Sequence, residues 1–308
     1  MLATLTQDYF DNETWIYERK LDGVRCLVTV KEGASTLWSR NEMELSPSYP
    51  ELVEAIDAQQ LPNLIADAEI VAFEGKVTSF SKLQNRMQIK DPVKARAPGV
   101  AVYIYFFDLI HLDGYNLRQL PLLQRKKVLK KVFAWNDPLR YTSHRRKNGT
   151  VYHTEACKKG WEGIIAKNGD STYVHSRSKK WLKFKCAKGQ ELVIGGFTEP
   201  QGDREGFGAL LVGFYEAGNL KYAGKVGTGY YKEFLRKYRR EFDRIERKKS
   251  PFHDFDNTND GKNHWVTPKH VGEFAFTEWT KNNKLRHPSF IGMRYDKEAT
   301  EVTKEQLK

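Results

Sequence analysis

The chain of 308 residues has only three cysteines, Cys26, Cys157 and Cys186, an odd number with no CxxC spacing. That scarcity predicts neither a disulfide framework nor a thiolate zinc site and fits a reducing cytoplasm. Long apolar runs are missing as well: nothing approaches the roughly 18 consecutive apolar residues that a membrane-spanning helix requires. Residues 1–8 lack the basic-then-apolar order of a secretory leader, so secretion and membrane insertion are not expected. Histidines are few and show no HxxxH pattern, and no internal repeat or low-complexity segment is present.

Charge, by contrast, is plentiful. Lysine and arginine number 51 against 39 acidic residues, a formal +12, and the excess is +8 over residues 1–187 and +4 over residues 188–308. Cations spread through both parts favour a polyanionic partner, because they displace the counterions condensed on nucleic acid. With 40% hydrophobic and 13% aromatic residues the chain has the material for real cores, unlike a disordered tail. Its length suggests two domains.

Short apolar or alternating runs at 15–17, 26–30, 64–66, 70–73 and 102–107 read as strands, punctuated by Asp22-Gly23, Glu74-Gly75 and Asp113-Gly114. Helical patterns run over 50–59, 79–88 and 122–133, the last with Leu122, Leu123, Val128, Leu129 and Val132 opposite a basic face. The first part is therefore mixed α and β. From Glu191 onward the texture changes to short strands separated by glycines, with one helical stretch at 231–247 and a late strand at 271–279. That is the texture of a small barrel. The boundary falls near Lys188-Gly189, and the basic run 244–249 reads as a solvated helix end.

The residues able to carry chemistry lie in four places. Residues 18–25, Glu-Arg-Lys-Leu-Asp-Gly-Val-Arg, read as a hairpin whose Asp22-Gly23 turn returns Arg25 toward Glu18 and Lys20, which share a strand face. A lysine among other cations can act as a nucleophile, since its amine attacks only when neutral. The same pattern also fits a plain charged hairpin. Residues 181–186 place Trp181, Lys183 and Lys185 on one face and Leu182, Phe184 and Cys186 on the other. Two lysines pointing the same way repel unless an anion lies between them, and phosphate is the natural candidate. Glu162 opens a strand at 162–167, while Asp67 and Glu69 sit together within the apolar run 64–71. Carboxylates in apolar strands need cations, and hard oxygen ligands suit magnesium better than zinc. Each element taken alone also fits a structural salt bridge.

Read in order, these elements resemble the nucleotidyltransferase signature of the ATP-dependent DNA ligases, a superfamily that includes RNA ligases and messenger RNA capping enzymes. The KxDGxR motif is Lys20-Leu-Asp-Gly-Val-Arg25. It is followed by Ser39-Arg40-Asn41, Ala68-Glu69-Ile70-Val71, Phe107-Asp108-Leu109, Glu162-Gly-Ile-Ile-Ala-Lys167 and Trp181-Leu-Lys-Phe-Lys185. The last third is similar to the OB domain of bacterial end-joining ligases and their small stand-alone relatives, through residues 206–213, 224–229 and 286–294. The resemblance implies an α+β fold, with an adenylation (nucleotidyltransferase) domain of antiparallel sheets and helices over 1–188 and a β-barrel OB-fold domain over 189–308.

The resemblance also implies roles. Lys20 would attack the α-phosphate of ATP to give lysyl-AMP, and AMP would pass to the 5′-phosphate of a break, where the 3′-hydroxyl displaces it. Glu18 would accept a hydrogen bond from the adenine amino group, and Phe107 would stack on the base. Arg25 and Arg40 would hold ribose or phosphate oxygens, and Glu69 and Glu162 would bind ribose hydroxyl or Mg2+, with Mn2+ as a substitute. Lys183 and Lys185 would neutralise the α-phosphate. Arg294, Asp296 and Lys297 would orient the pyrophosphate leaving group, with a hinge near Lys188-Gly189. Lys225, Arg236 and Arg239 would touch the backbone of nicked or broken duplex DNA.

The resemblance further implies a monomer in the cytoplasm, acting in repair, replication or recombination and open to recruitment by an end-binding protein. Two positions depart from the family: Ala68 and Glu42 stand where relatives usually carry glycine. Competing readings are an RNA ligase or capping guanylyltransferase, which substrate and nucleotide comparison separates, and a nucleic-acid-binding module without catalysis, which forms no adduct.

Overall fold

The computed structural model describes residues 1–87, 89–97, 99–186, 189–255 and 263–305, and the chain separates into two compact units, Met1–Cys186 and Ala187–Glu305. Lys188, half of the expected hinge, lies outside the described residues.

In the first unit the chain runs through β1 (Leu2–Leu5), β2 (Trp15–Arg19), β3 (Val24–Lys31), β4 (Ala34–Ser39) and α1 (Pro50–Asp57). It continues through β5 (Leu64–Glu74), β6 (Val77–Thr78), α2 (Phe80–Met87), α3 (Pro92–Arg96), β7 (Val102–Leu112) and β8 (Tyr115–Asn116). It closes with α4 (Leu122–Val132), β9 (Leu139–Tyr141), β10 (His144–Arg145), α5 (Gly149–Lys158), β11 (Gly163–Asn168) and β12 (Arg177–Lys185). The strands form two largely antiparallel sheets, one ordered β1-β12-β11-β2-β10 and the other β4-β3-β5-β7-β8, with β6 and β9 at its side. The runs at 64–66 and 70–73 are one continuous strand, because Asp67 and Glu69 alternate with Ala66, Ala68 and Ile70 without breaking the ladder.

Alternation decides which side of each sheet is dry. Val24, Cys26, Val28 and Val30 of β3 join Ala66, Ala68, Ile70, Ile104 and Phe106 in one core. Tyr17, Ile164, Ala166 and Phe184 of the other sheet pack with Tyr152 and Ala156 of α5. The two remaining faces meet over a third cluster, where Ile16 and Trp181 of one sheet pack near Leu27, Ile65 and Phe107 of the other.

The expected hairpin at 18–25 is not one. Strands β2 and β3 belong to different sheets, and Leu21-Asp22-Gly23 is the joint between them. Its shape is set by Asp22, whose carboxylate accepts from Phe80 N at 3.1 Å and whose N–H donates to Thr78 Oγ1 at 3.1 Å. Gly23 is required by close approach: a Cβ there would lie 2.2 Å from Ile70 O.

The cysteine expectation is also corrected. Cys157 and Cys186 form a disulfide, with Cα atoms 5.2 Å apart. The reason lies in the alternation of β12, which turns Lys183 and Lys185 to one side and Cys186 to the other, toward α5. Cα atoms that close can be bridged without moving the backbone. His153 Nε2 stands 3.5 Å from Cys157 Sγ. This His-Cys-Cys group has the proximity of a metal site, but the two sulfurs are bonded to each other and offer no thiolate.

The second unit comprises β13 (Gly189–Thr198), β14 (Leu210–Glu216), β15 (Asn219–Val226), α6 (Lys232–Asp243), β16 (Glu246–Arg247), β17 (Asn263–Ala275), β18 (Glu278–Trp279), β19 (Leu285–Arg286) and β20 (Ser289–Met293). Six of the strands form one antiparallel sheet, β15-β14-β13-β17-β16 with β20 also on β17, curled into a half-barrel of the OB type. Helix α6 closes its core with Phe234, Leu235, Tyr238 and Phe242. No helix among the described residues is long and apolar enough to cross a membrane.

Candidate active site

The sheet register assembles most of the site. Across β2, β11 and β12, Glu18 pairs with Ile165 and Ile165 with Lys183, while Lys167 pairs with Trp181 and Gly163 with Lys185. Directly paired residues share a face, so Glu18, Lys167, Lys183 and Lys185 all project toward the second sheet. Lys20, two residues beyond Glu18, is tied by its N–H to Gly163 O at 2.9 Å. Its ammonium forms an ion pair with Glu162, and both side chains keep about a fifth of their exposure, 17% and 21%. Burial pushes the Glu162 carboxyl up, but Lys20, Lys185 and Lys183 outweigh it and hold the group below the usual carboxylate range.

The other sheet contributes Arg25, Asp67, Glu69 and Phe107. Arg25 pairs with Glu69 across β3 and β5, and its guanidinium donates to Asp67 through Nε and Nη2, at 2.9 and 2.5 Å. Tyr173 Oη donates to the same carboxylate at 2.8 Å. Burial raises the carboxyl of Asp67, but Arg25 and Tyr173 keep it depressed. Both Asp67 oxygens are thus taken. Arg25 and Arg40 line a common cavity of about 870 Å3 with Trp38 and Glu42. Glu42 has φ of 59°, the left-handed conformation that glycine adopts without strain, so the glycine that the resemblance leads one to expect there would suit this backbone. Ala68 is fully buried in the core, where its methyl is accommodated.

Three residues reach the site without a role from sequence. Lys126 of α4 and Lys167 of β11 each approach one oxygen of Glu18, at 2.6 Å. The ammonium of Lys167 also stands 4.3 Å from the Phe107 ring centroid and 4.0 Å from that of Trp181. Glu18 is 2% exposed. Tyr173 is the third. Lys167 lies inside a recognised motif, whereas Lys126 falls on what reads as the basic outer face of a helix. Its neighbour Arg125 is buried too, paired with Asp108 at 2.8 Å.

In the second unit Arg294 is clasped by Asp296 at 2.8 Å and by Glu273 at 3.1 Å, and Lys297 lies 3.4 Å from Glu191. The three residues Arg294, Asp296 and Lys297 are therefore assembled within this unit. Of the expected DNA contacts, Lys225 is exposed, Arg236 is paired with Glu205, and Arg239 is held by Asp243, Glu199 and Gly206 O.

Two sheets joined at Asp22-Gly23, with a lysine and a glutamate paired beside two more lysines, define a nucleotidyltransferase domain followed by an OB-type unit. Residues 1–185 match the family profile described as ATP dependent DNA ligase domain, and residues 203–297 match that of the ATP dependent DNA ligase C terminal region. The chain belongs to the ATP-dependent DNA ligase family. It is 34% identical over 300 residues to the multifunctional non-homologous end joining protein LigD of Pseudomonas aeruginosa, covering 95% of this chain and 35% of that protein. To a DNA ligase of Natronomonas pharaonis it is 31% identical over 297 residues, covering 92% and 52%. It thus spans about a third to a half of these relatives' length. A solved mycobacterial DNA ligase D complexed with ATP and MES is similar at 31% identity with a TM-score of 0.68, covering 98% of this chain and 97% of that one.

Proposed function

We propose that this chain seals 5′-phosphate/3′-hydroxyl breaks in duplex DNA through an adenylate carried on Lys20. The observation that carries the reading is the largely buried but still accessible Lys20–Glu162 pair, with Lys183 and Lys185 acting on the same carboxylate. Lys20 Nζ attacks the α-phosphorus of ATP as pyrophosphate leaves. The 5′-phosphate of the break then displaces the lysine, and the 3′-hydroxyl finally attacks that phosphate and expels AMP. Lys183 and Lys185 carry the positive charge that the crowded phosphates need in each transition state. Glu18 and Phe107 hold the base, and Arg25 and Arg40 hold ribose or phosphate oxygens.

Asp67 is clamped by Arg25 and Tyr173, and Glu69 and Glu162 are the carboxylates that would hold a hard cation. Bound Mg2+, or Mn2+ in its place, would supply charge neutralisation of the phosphates there. Arg294, Asp296 and Lys297 orient pyrophosphate in the first step, and Lys225 meets the DNA backbone. The domain limits are 1–188 and 189–308. The enzyme works as a monomer in the cytoplasm, in repair and also in replication and recombination, with an end-binding protein to recruit it.

The test is incubation with α-labelled ATP and magnesium, followed by a nicked duplex. The parent should acquire a covalent AMP and seal the nick, and Lys20→Ala should do neither. Labelling that survives in Lys20→Ala would refute the assignment. Parallel assays with GTP and with nicked RNA separate the capping-enzyme and RNA-ligase readings.

A further inference from the structure

Helix α4 delivers to the site a lysine that belongs to none of the recognised motifs. Lys126 is 1% exposed, and its ammonium lies 2.6 Å from Glu18 Oε1, donates to Thr142 O at 3.0 Å and stands 4.6 Å from the Tyr141 ring centroid. The other carboxylate oxygen of Glu18 is taken by Lys167, which is 2% exposed and lies against Phe107. One acid and two ammoniums are thus enclosed together. A single lysine would already balance the charge, and burying a second cation is costly unless its position serves a purpose.

Base chemistry supplies that purpose. Adenine offers an exocyclic amino donor and a ring-nitrogen acceptor side by side, whereas guanine offers a carbonyl acceptor and a ring N–H. A carboxylate fixed at the exocyclic position with an ammonium at the ring nitrogen complements the first pattern, and in the same order it sets the second base's carbonyl against the carboxylate and its ring N–H against the ammonium.

We propose that Lys126 is a positioning residue for nucleotide selection: from outside the motifs it locks the Glu18 carboxylate against rotation, so that the site takes ATP and rejects GTP. The inference rests on the proposed role of Glu18 in holding the base. Charge agrees with the geometry. Burial pushes the Glu18 carboxyl up, and Lys126, ahead of Lys167, is the larger influence holding it down in the ionised range. Lys126 acts on Glu18 and its neighbours Tyr141, His144 and Lys167. The lysines that act on Glu162 are Lys20, Lys185 and Lys183.

The experiment measures covalent labelling of the full chain by α-labelled ATP and GTP across concentration, for the parent, Lys126→Met, Lys126→Arg, Glu18→Gln and the Lys126→Met/Glu18→Gln pair. Lys126→Met should raise the half-saturating ATP concentration about ten- to hundredfold, the range for losing a hydrogen bond to a charged group. It should narrow the ATP-over-GTP ratio while leaving the labelling rate at saturating ATP within a few-fold, and Lys126→Arg should recover part of the loss. Because Lys126 acts through Glu18, Lys126→Met should add nothing in the Glu18→Gln background. If Lys126→Met does not fold, the same criteria apply to Lys126→Gln, which keeps a donor for Thr142 O. A labelled parent with unchanged ATP half-saturation and nucleotide ratio in the folded variant overturns the inference alone, as does a full additional loss in the Glu18→Gln background. An unlabelled parent overturns the assignment of Lys20 and this inference with it.

Discussion

The two units treat their key cations in opposite ways. Around Lys20 the named groups carry more positive than negative charge: Lys20, Lys183 and Lys185 against Glu162, and behind them Lys126 and Lys167 against Glu18. Around Arg294 the balance reverses, with Asp296, Glu273 and Glu191 facing Arg294 and Lys297. A surplus of lysines on a sheet face suits phosphates, whereas a cation enclosed by acids adds to folding as well as to any role toward a ligand. The same residue types therefore stand in an excess of positive charge in one unit and of negative charge in the other, so the loss of a cation is felt differently in each.

The sharpest way to break this comparison is to remove the two cations separately. Lys20→Ala should abolish adduct formation while changing stability by less than about 1 kcal/mol, because its partner Glu162 stays partly solvated. Arg294→Ala should cost about 3–5 kcal/mol in urea unfolding, since it strands acids that are largely buried, Asp296 and Glu273 among them. Equal stability losses would erase the distinction.

Next in size is the disulfide. Reduction by a small dithiol should lower stability by about 2–4 kcal/mol, as expected for opening a crosslink between residues 29 apart, and Cys157→Ser should no longer respond. Thiol alkylation and mass spectrometry report the state of the pair.

Acid should act chiefly through the carboxylates of the first unit. Glu18, Glu162 and Asp67 are all held below their ordinary range by neighbouring cations. Depressed carboxyls contribute stability that is present above their unfolded values, about pH 4, and is lost as pH falls through the folded ones. Thermal unfolding followed between about pH 6 and pH 3 should show a loss that Glu162→Gln makes shallower. A profile unchanged by that substitution would remove Glu162 from the account. Smallest of all, Glu42→Gly relieves a left-handed backbone and should raise stability by at most about 1 kcal/mol in the same assay.

Much of this was legible in the chain itself. Period-two alternation foretells that Trp181, Lys183 and Lys185 share a face, and the register confirms that shared side. Helices over 50–59, 79–88 and 122–133 are found as Pro50–Asp57, Phe80–Met87 and Leu122–Val132. The failures have a common cause. An Asp-Gly turn between two apolar runs suggests a hairpin, but strand partners are chosen by distant residues, and β3 finds β4 and β5 instead of β2. Lys126 lies more than a hundred residues from Glu18 and looks solvated by local pattern, because nothing nearby in the chain announces a buried acid. Cys157 and Cys186 meet only once β12 has settled against α5, an event that no cysteine spacing encodes.

Only Lys20, Leu21, Asp22 and Gly23 separate the strand that ends at Arg19 from the strand that carries Arg25, and the backbone at Gly23 is pressed against Ile70. The spacing from Lys20 to Arg25 is thereby a fixed gauge: an inserted residue has nowhere to loop out, and the chain can vary elsewhere in length but not across these few links.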